Sequence, residues 1–212
     1  MYLEYAIYDK EYNADVKKNV FEALDYVHGL SIPSIFLTDI HDFLPHGITL
    51  SCPIDWPNGW SDTKIRAHET VKAIHKGANA IDLVANVIAF VNNKPKAFVE
   101  DIKVQKSICD ENNVSLRVMT DYRKINDMEQ FRKMWSLLKE AGVEYGFGST
   151  GIYTDDHLDI ISLCGIIQQN YAINMICNGN IYLPEQFEQV KKSEPFGIRF
   201  TNVNAIKRCI SK

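Results

Sequence analysis

The chain has 212 residues, of which 46% are hydrophobic and 24% charged, with 23 Lys+Arg against 27 Asp+Glu and a formal net charge of -4. This hydrophobic content excludes intrinsic disorder, the length suits one large core or two small ones, and the acidic balance gives no general attraction for nucleic acid or anionic lipid. Met1 leads straight into Tyr2-Leu3-Glu4-Tyr5 without a basic segment ahead of an apolar one, and no apolar run reaches the ~20 residues that span a bilayer, so a soluble cytoplasmic protein is expected. Cys52, Cys109, Cys164, Cys177 and Cys209 are odd in number and lack C-x-x-C spacing, so they read as free thiols.

Along the chain, β-rich runs alternate with helically spaced apolar residues. The runs are Leu3 to Tyr8, Ser34 to Ile40, Ile48 to Ile54, Ala80 to Val87, Ser115 to Tyr122, Glu144 to Ser149, Ile173 to Cys177 and Gly197 to Asn202. Between them, helix faces are marked by Val16, Val20, Leu24 and Val27; by Ala67, Val71 and Ile74; by Phe98 and Ile102; and by Met128, Phe131, Trp135 and Leu138. Asn13, Asp62, Asp127 and Thr154 stand at N-cap positions, Pro95 and Pro184 suit first helical turns, and Gly29, Gly77 and Gly142 stand where helices should stop. Eight strands with intervening helices predict an α/β chain forming one (β/α)8 barrel domain over residues 1–212, with an open doubly wound sheet as the alternative. The stretch from His41 to Gly47 is too short for a full crossover helix, so the second βα unit reads as trimmed.

Carboxylates approach the strand ends: Glu4 on the first, Asp39 on the second, Asp55 after the third and Asp121 on the fifth. Asp82 lies in the middle of Ala80-Ile81-Asp82-Leu83-Val84, where an unpaired carboxylate would cost several kcal/mol, so it pairs with Arg117 or Arg199 or serves as an acid–base group. No H-x-H or H-x-x-x-E spacing asks for a metal, and neither a metal nor a cofactor is expected. His28, His68, His75 and His157 fall in helical segments; only His41 follows a strand's C-terminal end, the face where barrel chemistry sits. Cys177 reads as a core-filling thiol, and Trp56 and Trp60 bracket a loop that lids a ligand or packs on the neighbouring unit.

Three segments resemble the deoxyribose-phosphate aldolase family, class I aldolases built on a (β/α)8 barrel. Trp56-Pro57-Asn58-Gly59 resembles the family's F-P-x-G, and Thr63 to Glu69 its T-x-x-K-x-x-E, with Arg66 at the lysine position. Lys76-Gly77-Ala78-Asn79-Ala80-Ile81-Asp82-Leu83-Val84 is similar to G-A-D-E-I-D-M-V, and Ala141 to Gly151 to A-G-A-D-F-I-K-T-S-T-G. More weakly, Asn174 to Asn180 sits where the family reads G-x-K-x-x-G-G. The resemblance implies that Phe147 stands at the imine-forming lysine and Ile176 at the second active-site lysine, and the eight β-rich runs contain no lysine to replace them. It also implies that Asp82 matches the aspartate that takes part in proton transfer. Glu4, Asp55, Arg117, Asp121, Ser149, Thr150, Gly151, Asn178, Gly179 and Arg199 would then surround a substrate pocket at the C-terminal barrel face. Asn180 and Thr201-Asn202-Val203-Asn204 depart from the glycine-rich phosphate turns.

The expected function is to bind or act on a small aldehyde, polyol or sugar phosphate without Schiff-base chemistry. The alternative is an inactive barrel kept as a binding or assembly module. The expected partner is therefore a small molecule, with self-association left open.

Overall fold

In a computed structural model of the chain, residues 1–7, 15–153, 155–179 and 181–210 are described. Eight parallel strands close into a barrel in chain order: β1 (Tyr2–Ala6), β2 (Gly29–Ser31), β3 (Thr49–Ile54), β4 (Ala80–Val84), β5 (Ser115–Met119), β6 (Tyr145–Phe147), β7 (Asn174–Asn178) and β8 (Gly197–Phe200). Around them lie α1 (Val16–Leu24), α2 (Leu37–His41), α3 (Thr63–His75), α4 (Val87–Val91), α5 (Pro95–Glu111), α6 (Met128–Glu140), α7 (His157–Tyr171), α8 (Pro184–Lys192) and α9 (Val203–Ile210). The second unit is indeed short, its only helix being the five-residue α2. Among the described residues no helix is long and apolar enough to cross a membrane.

The strands divide their residues between two faces. Leu3, Leu30, Cys52, Ile81, Leu83, Val118, Met175 and Ile198 are buried in the layer between strands and helices. The alternate positions point to the barrel axis and are largely polar: Glu4, Ser31, Ser51, Asp82, Arg117 and Arg199 are all buried. Helix starts follow the local chemistry. Asp62 accepts from the Lys64 amide and Asp127 from the Gln130 amide, as the sequence suggests, while α1 and α7 are capped by Asp15 and Asp156. Asn13 and Thr154, read as those two caps, lie outside the described residues, as do Tyr8 and Asn180. Gly77 and Gly142 end α3 and α6 with φ of 99° and 82°, a region that a side chain makes costly.

Four sequence readings are corrected. Ser34 to Ile40 is not a strand: α2 occupies its second half, and Pro33, which has no N–H to give a ladder, precedes it. The second strand is instead Gly29–Ser31, so Gly29 is a strand residue, with the Tyr2 hydroxyl lying where its Cβ would be. His28 precedes β2 in a turn rather than sitting in a helix, and its Nδ1 accepts from the Leu3 amide at 3.1 Å. His41 ends α2 and packs against Gly77, ahead of β4, which puts it at the N-terminal rather than the C-terminal face of the barrel.

The buried face of α3 also differs from the expected stripe. Arg66, Thr70 and Ala73 are buried, whereas Ala67, Val71 and Ile74 are half-buried. A polar seam to α5 draws the helix round. Arg66 Nη1 donates to Asp101 Oδ2 at 2.5 Å, Thr70 Oγ1 to Gln105 Oε1 at 2.8 Å, and Arg66 also donates to the Val84 carbonyl. A buried guanidinium must stay with its partners, and Arg66 lies one residue off the apolar stripe of Ala67, Val71 and Ile74.

Candidate active site at the barrel centre and mouth

Strand register sets the interior. Asp82 lies opposite Arg117 across β4 and β5, and Glu4 opposite Arg199 across β1 and β8. The four charges close a ring. Arg117 Nε donates to Asp82 Oδ1 at 2.6 Å and its Nη2 to Glu4 Oε1 at 2.9 Å. Arg199 Nε donates to Glu4 Oε2 at 2.6 Å and its Nη2 to Asp82 Oδ2 at 2.5 Å. Ser31 and Ser51 hydroxyls add bonds to Asp82 Oδ2 at 2.7 and 3.0 Å, and the Tyr2 hydroxyl donates to Glu4 Oε1 at 2.8 Å. Two cations and two anions thus form a neutral group with charge-assisted bonds on every carboxylate oxygen.

Burial opposes ionisation of Asp82, but the Arg117 and Arg199 guanidiniums and the hydrogen bonds from Arg117 and Ser31 outweigh it, holding the carboxyl below its ordinary value. For Arg117, burial likewise works against the charge, and Asp82 and Glu4 more than restore it. Glu4 and Asp82 have 0% exposure. Both Asp82 oxygens are committed to arginine and serine donors, an arrangement that holds Arg199 and Arg117 in place.

Above the ring lies an apolar layer of Val84, Met119, Phe147 and Ile176, each no more than 1% exposed, with Trp56 packed on it. The Arg199 guanidinium lies 4.1 Å and that of Arg117 5.5 Å from the Phe147 ring centroid, so the ring's electron-rich face rests on two cations. Trp56 reaches across the mouth, its Nε1 donating to the Thr150 carbonyl at 2.9 Å, while Trp60 is exposed. Of the two bracketing indoles, one packs and one faces solvent.

Beyond strands β6, β7 and β8, a cavity of about 20 Å³ is lined by Thr150, Gly151, Asn178, Gly179, Arg199 and Thr201. Ser149 anchors the turn: its hydroxyl donates to Asp155 Oδ2 at 2.6 Å and accepts from the Gly151 amide at 3.2 Å. Asp155 is in turn paired with Arg123. Asn178 Nδ2 donates to the Ser149 carbonyl at 2.6 Å. Thr150 Oγ1 and Asn178 Oδ1 are both buried and have no hydrogen-bond partner among the described residues. Both residues line this small cavity, and buried polar atoms of this kind ordinarily have a partner.

The structure therefore gathers Asp82, Glu4, Arg117 and Arg199 at the axis, and Ser149, Thr150, Gly151, Asn178 and Gly179 at one side of the mouth. Asp55 and Asp121 serve their own loops. Asp55 accepts from the Ser61 amide and hydroxyl at 2.7 and 2.9 Å and lies 3.6 Å from Arg66 Nε; Asp121 caps the turn at Tyr122–Lys124 and faces Arg123 and Lys124. Asp39 is exposed on α2. Cys177 is buried beside Cys164, and a side-chain hydrogen bond with Cys164 together with burial raises its pKa, which suits a packed thiol.

Sequence reasoning missed Tyr2, Ser31, Ser51 and Asp155. Alternation from Glu4 to Tyr2 was a usable signal for the first. Ser31 was hidden by the misplaced second strand.

No family model matches the chain. It is 28% identical over 148 residues to a deoxyribose-phosphate aldolase of Clostridium botulinum, covering 67% of this chain and 66% of that enzyme, just under two thirds of its length. It is 26% identical over 158 residues to a deoxyribose-phosphate aldolase of Metamycoplasma hominis, covering 71% of each. Among solved structures, the tetrameric deoxyribose phosphate aldolase of Aeropyrum pernix superposes with a TM-score of 0.84 at 17% identity, covering 99% of this chain and 88% of that one. An aldolase named QR15 gives 0.81 at 17% identity, covering 99% and 92%. With a closed eight-stranded barrel and these relatives, the chain is similar in sequence and in fold to the deoxyribose-phosphate aldolases.

Proposed function

We propose that the chain binds a small hydroxylated, phosphate-bearing molecule at the mouth above β6, β7 and β8 and does so without imine-based aldol chemistry. The observation that carries this reading is that Thr150 and Asn178, two residues lining a single cavity, each hold a buried polar atom without a partner among the described residues. The threonine hydroxyl suits donation to a phosphate or sugar oxygen, and the amide oxygen suits acceptance from a sugar hydroxyl. Gly151, with φ of 75°, leaves the backbone of the turn open to close approach. The cavity of about 20 Å³ holds roughly one water, so a sugar phosphate requires this cavity to widen.

Chemistry at the axis is limited by what stands there. By the family resemblance, Phe147 takes the place of the imine-forming lysine and Ile176 that of its companion, and neither side chain can form an imine. Asp82 then acts as a positioning residue that fixes Arg199 beneath the mouth.

Titration of 15N-labelled protein with deoxyribose 5-phosphate tests this reading. Saturable shifts are expected on the amides of Ser149 to Gly151 and on Asn178 and Gly179. Thr150→Val keeps the volume but removes the hydroxyl, so affinity should fall about tenfold for one bond to a charged oxygen. The melting temperature of the ligand-free variant should be unchanged or slightly raised, because a buried hydroxyl without a partner is lost. Absence of shifts up to about 20 mM ligand, weaker than any useful affinity, would leave the barrel as an assembly module.

A further inference from the structure

The opposite, N-terminal end of the barrel contains the larger void. A cavity of about 380 Å³ opens there, bordered by Tyr2, Thr49, Ser115, Arg117, Tyr145 and Phe196 among others. Its origin lies in the lowest inward positions of the strands. Gly29, Thr49, Ala80, Ser115 and Gly197 share the axis-facing side with Asp82 and Arg117 and are all small. Tyr2 and Tyr145 are left as the large side chains beneath Arg117. Gly29 and Gly197 also make the slot in which the Tyr2 ring lies, since a Cβ at either would collide with it.

One wall is aromatic. Phe196 stacks on Tyr2 at 5.7 Å between centroids and meets Tyr145 edge-on at 5.0 Å. The buried Arg117 guanidinium forms the floor, and three of its five N–H groups are used, by Asp82, Glu4 and the Tyr2 hydroxyl. Among the described residues, one N–H remains without a partner on each terminal nitrogen. The floor donates hydrogen bonds yet carries no net charge, because Glu4 and Asp82 balance Arg117 and Arg199. The rim offers the hydroxyls of Thr49 and Ser115, whereas the Asn79 amide is spent on Leu50 and Ile48.

We propose that this cavity is a second binding site, for a small neutral planar aromatic molecule bearing a carbonyl acceptor, such as an aromatic amide or lactam. The ring lies against Tyr2 and Phe196 and the carbonyl accepts from Arg117. An aromatic face matches offset stacking. A neutral acceptor matches a donor floor of zero net charge, whereas a carboxylate would place an unbalanced anion beside Glu4. The volume lies in the range of small-molecule sites. This site shares no mouth residue with the phosphate-bearing ligand proposed above, so either reading can fail alone.

The test uses the full chain and three probes, benzamide, benzoate and cyclohexanecarboxamide, with amide shifts as the readout. Benzamide should give saturable shifts at Ala80, Ser115, Tyr145 and Phe196 with Kd near or below about 1 mM, within reach for a fragment of this size. Benzoate and cyclohexanecarboxamide should bind at least about fivefold more weakly, lacking the neutral acceptor or the ring. Phe196→Ala, at an exposed ring outside the charged ring of the axis, should weaken benzamide by a similar factor. Ser115→Trp should fill the cavity and abolish binding, with the melting temperature checked for both variants. No saturable shift with benzamide, equal or tighter binding of benzoate, shifts confined to Ser149 to Gly151, or full affinity in Ser115→Trp would each overturn the proposal.

Discussion

Asp82→Asn is expected to lower the unfolding free energy at pH 7 by about 3–5 kcal/mol, the range for removing one partner from a buried ion group. The neutral amide leaves the Arg117 and Arg199 guanidiniums, both nearly fully buried, with Glu4 as their only anion. The amide's own N–H donors would also face Ser31, Ser51 or a guanidinium, where the carboxylate had only accepted. Urea denaturation measures the loss. A change below about 1 kcal/mol, the scale of an exposed pair, would mean that the ring is not closed as described.

The acid limb carries a second signature of the same residue. The folded-state pKa of Asp82 lies below its ordinary value of 3.8, so the unfolded chain takes up the proton first as pH falls. The stabilisation is complete above about pH 4 and disappears as pH drops toward the depressed value, so stability rises with pH in that window. Asp82→Asn should flatten that part of the stability–pH curve. An unchanged slope would place the acid sensitivity elsewhere.

Phe147→Lys should be almost as damaging and should not restore an aldolase. The ring is fully buried against Arg199 and Arg117, so the new amine loses its hydration and faces two guanidiniums at close range. Both effects disfavour the ammonium form and depress its pKa. The protein loses the ring's cation–π contacts and its packing against Val84, Met119 and Ile176, and several kcal/mol of destabilisation is expected. Phe147→Leu separates the contributions: it keeps an apolar filler and should cost about 1–3 kcal/mol, the scale of a volume-changing core substitution. Retro-aldol turnover by Phe147→Lys would show an open, hydrated axis and contradict the packed one described.

The pairing at the axis was legible in the sequence because a carboxylate flanked by Ile81 and Leu83 demands a partner, and alternation places Asp82, Arg117 and Arg199 on the same side of the sheet. Both arginines engage it rather than one, because a carboxylate has two oxygens and the barrel brings β5 and β8 to the same axis. The short strand Gly29–Ser31 was not legible: three residues carry too little pattern, and Ile35, Phe36 and Leu37 nearby mimic a better strand. Neither was the burial of Arg66, which depends on Asp101 and Gln105 from a different helix. The void beneath Arg117 arises from small residues on five strands. Which of them share a layer follows from barrel stagger, a property no single segment displays.

We propose that a neutral ring of buried charges under an apolar layer stands where the resembled aldolases carry out imine chemistry, and reductive trapping tests this most directly. The intact protein is incubated with deoxyribose 5-phosphate and borohydride and then weighed by mass spectrometry, with peptide mapping of any adduct. The expected result is unmodified protein, because the strands offer no lysine and the axis is closed by Phe147 and Ile176. A stoichiometric reduced adduct on one lysine at the barrel mouth, with Lys124 beyond β5 the first to examine, would contradict it.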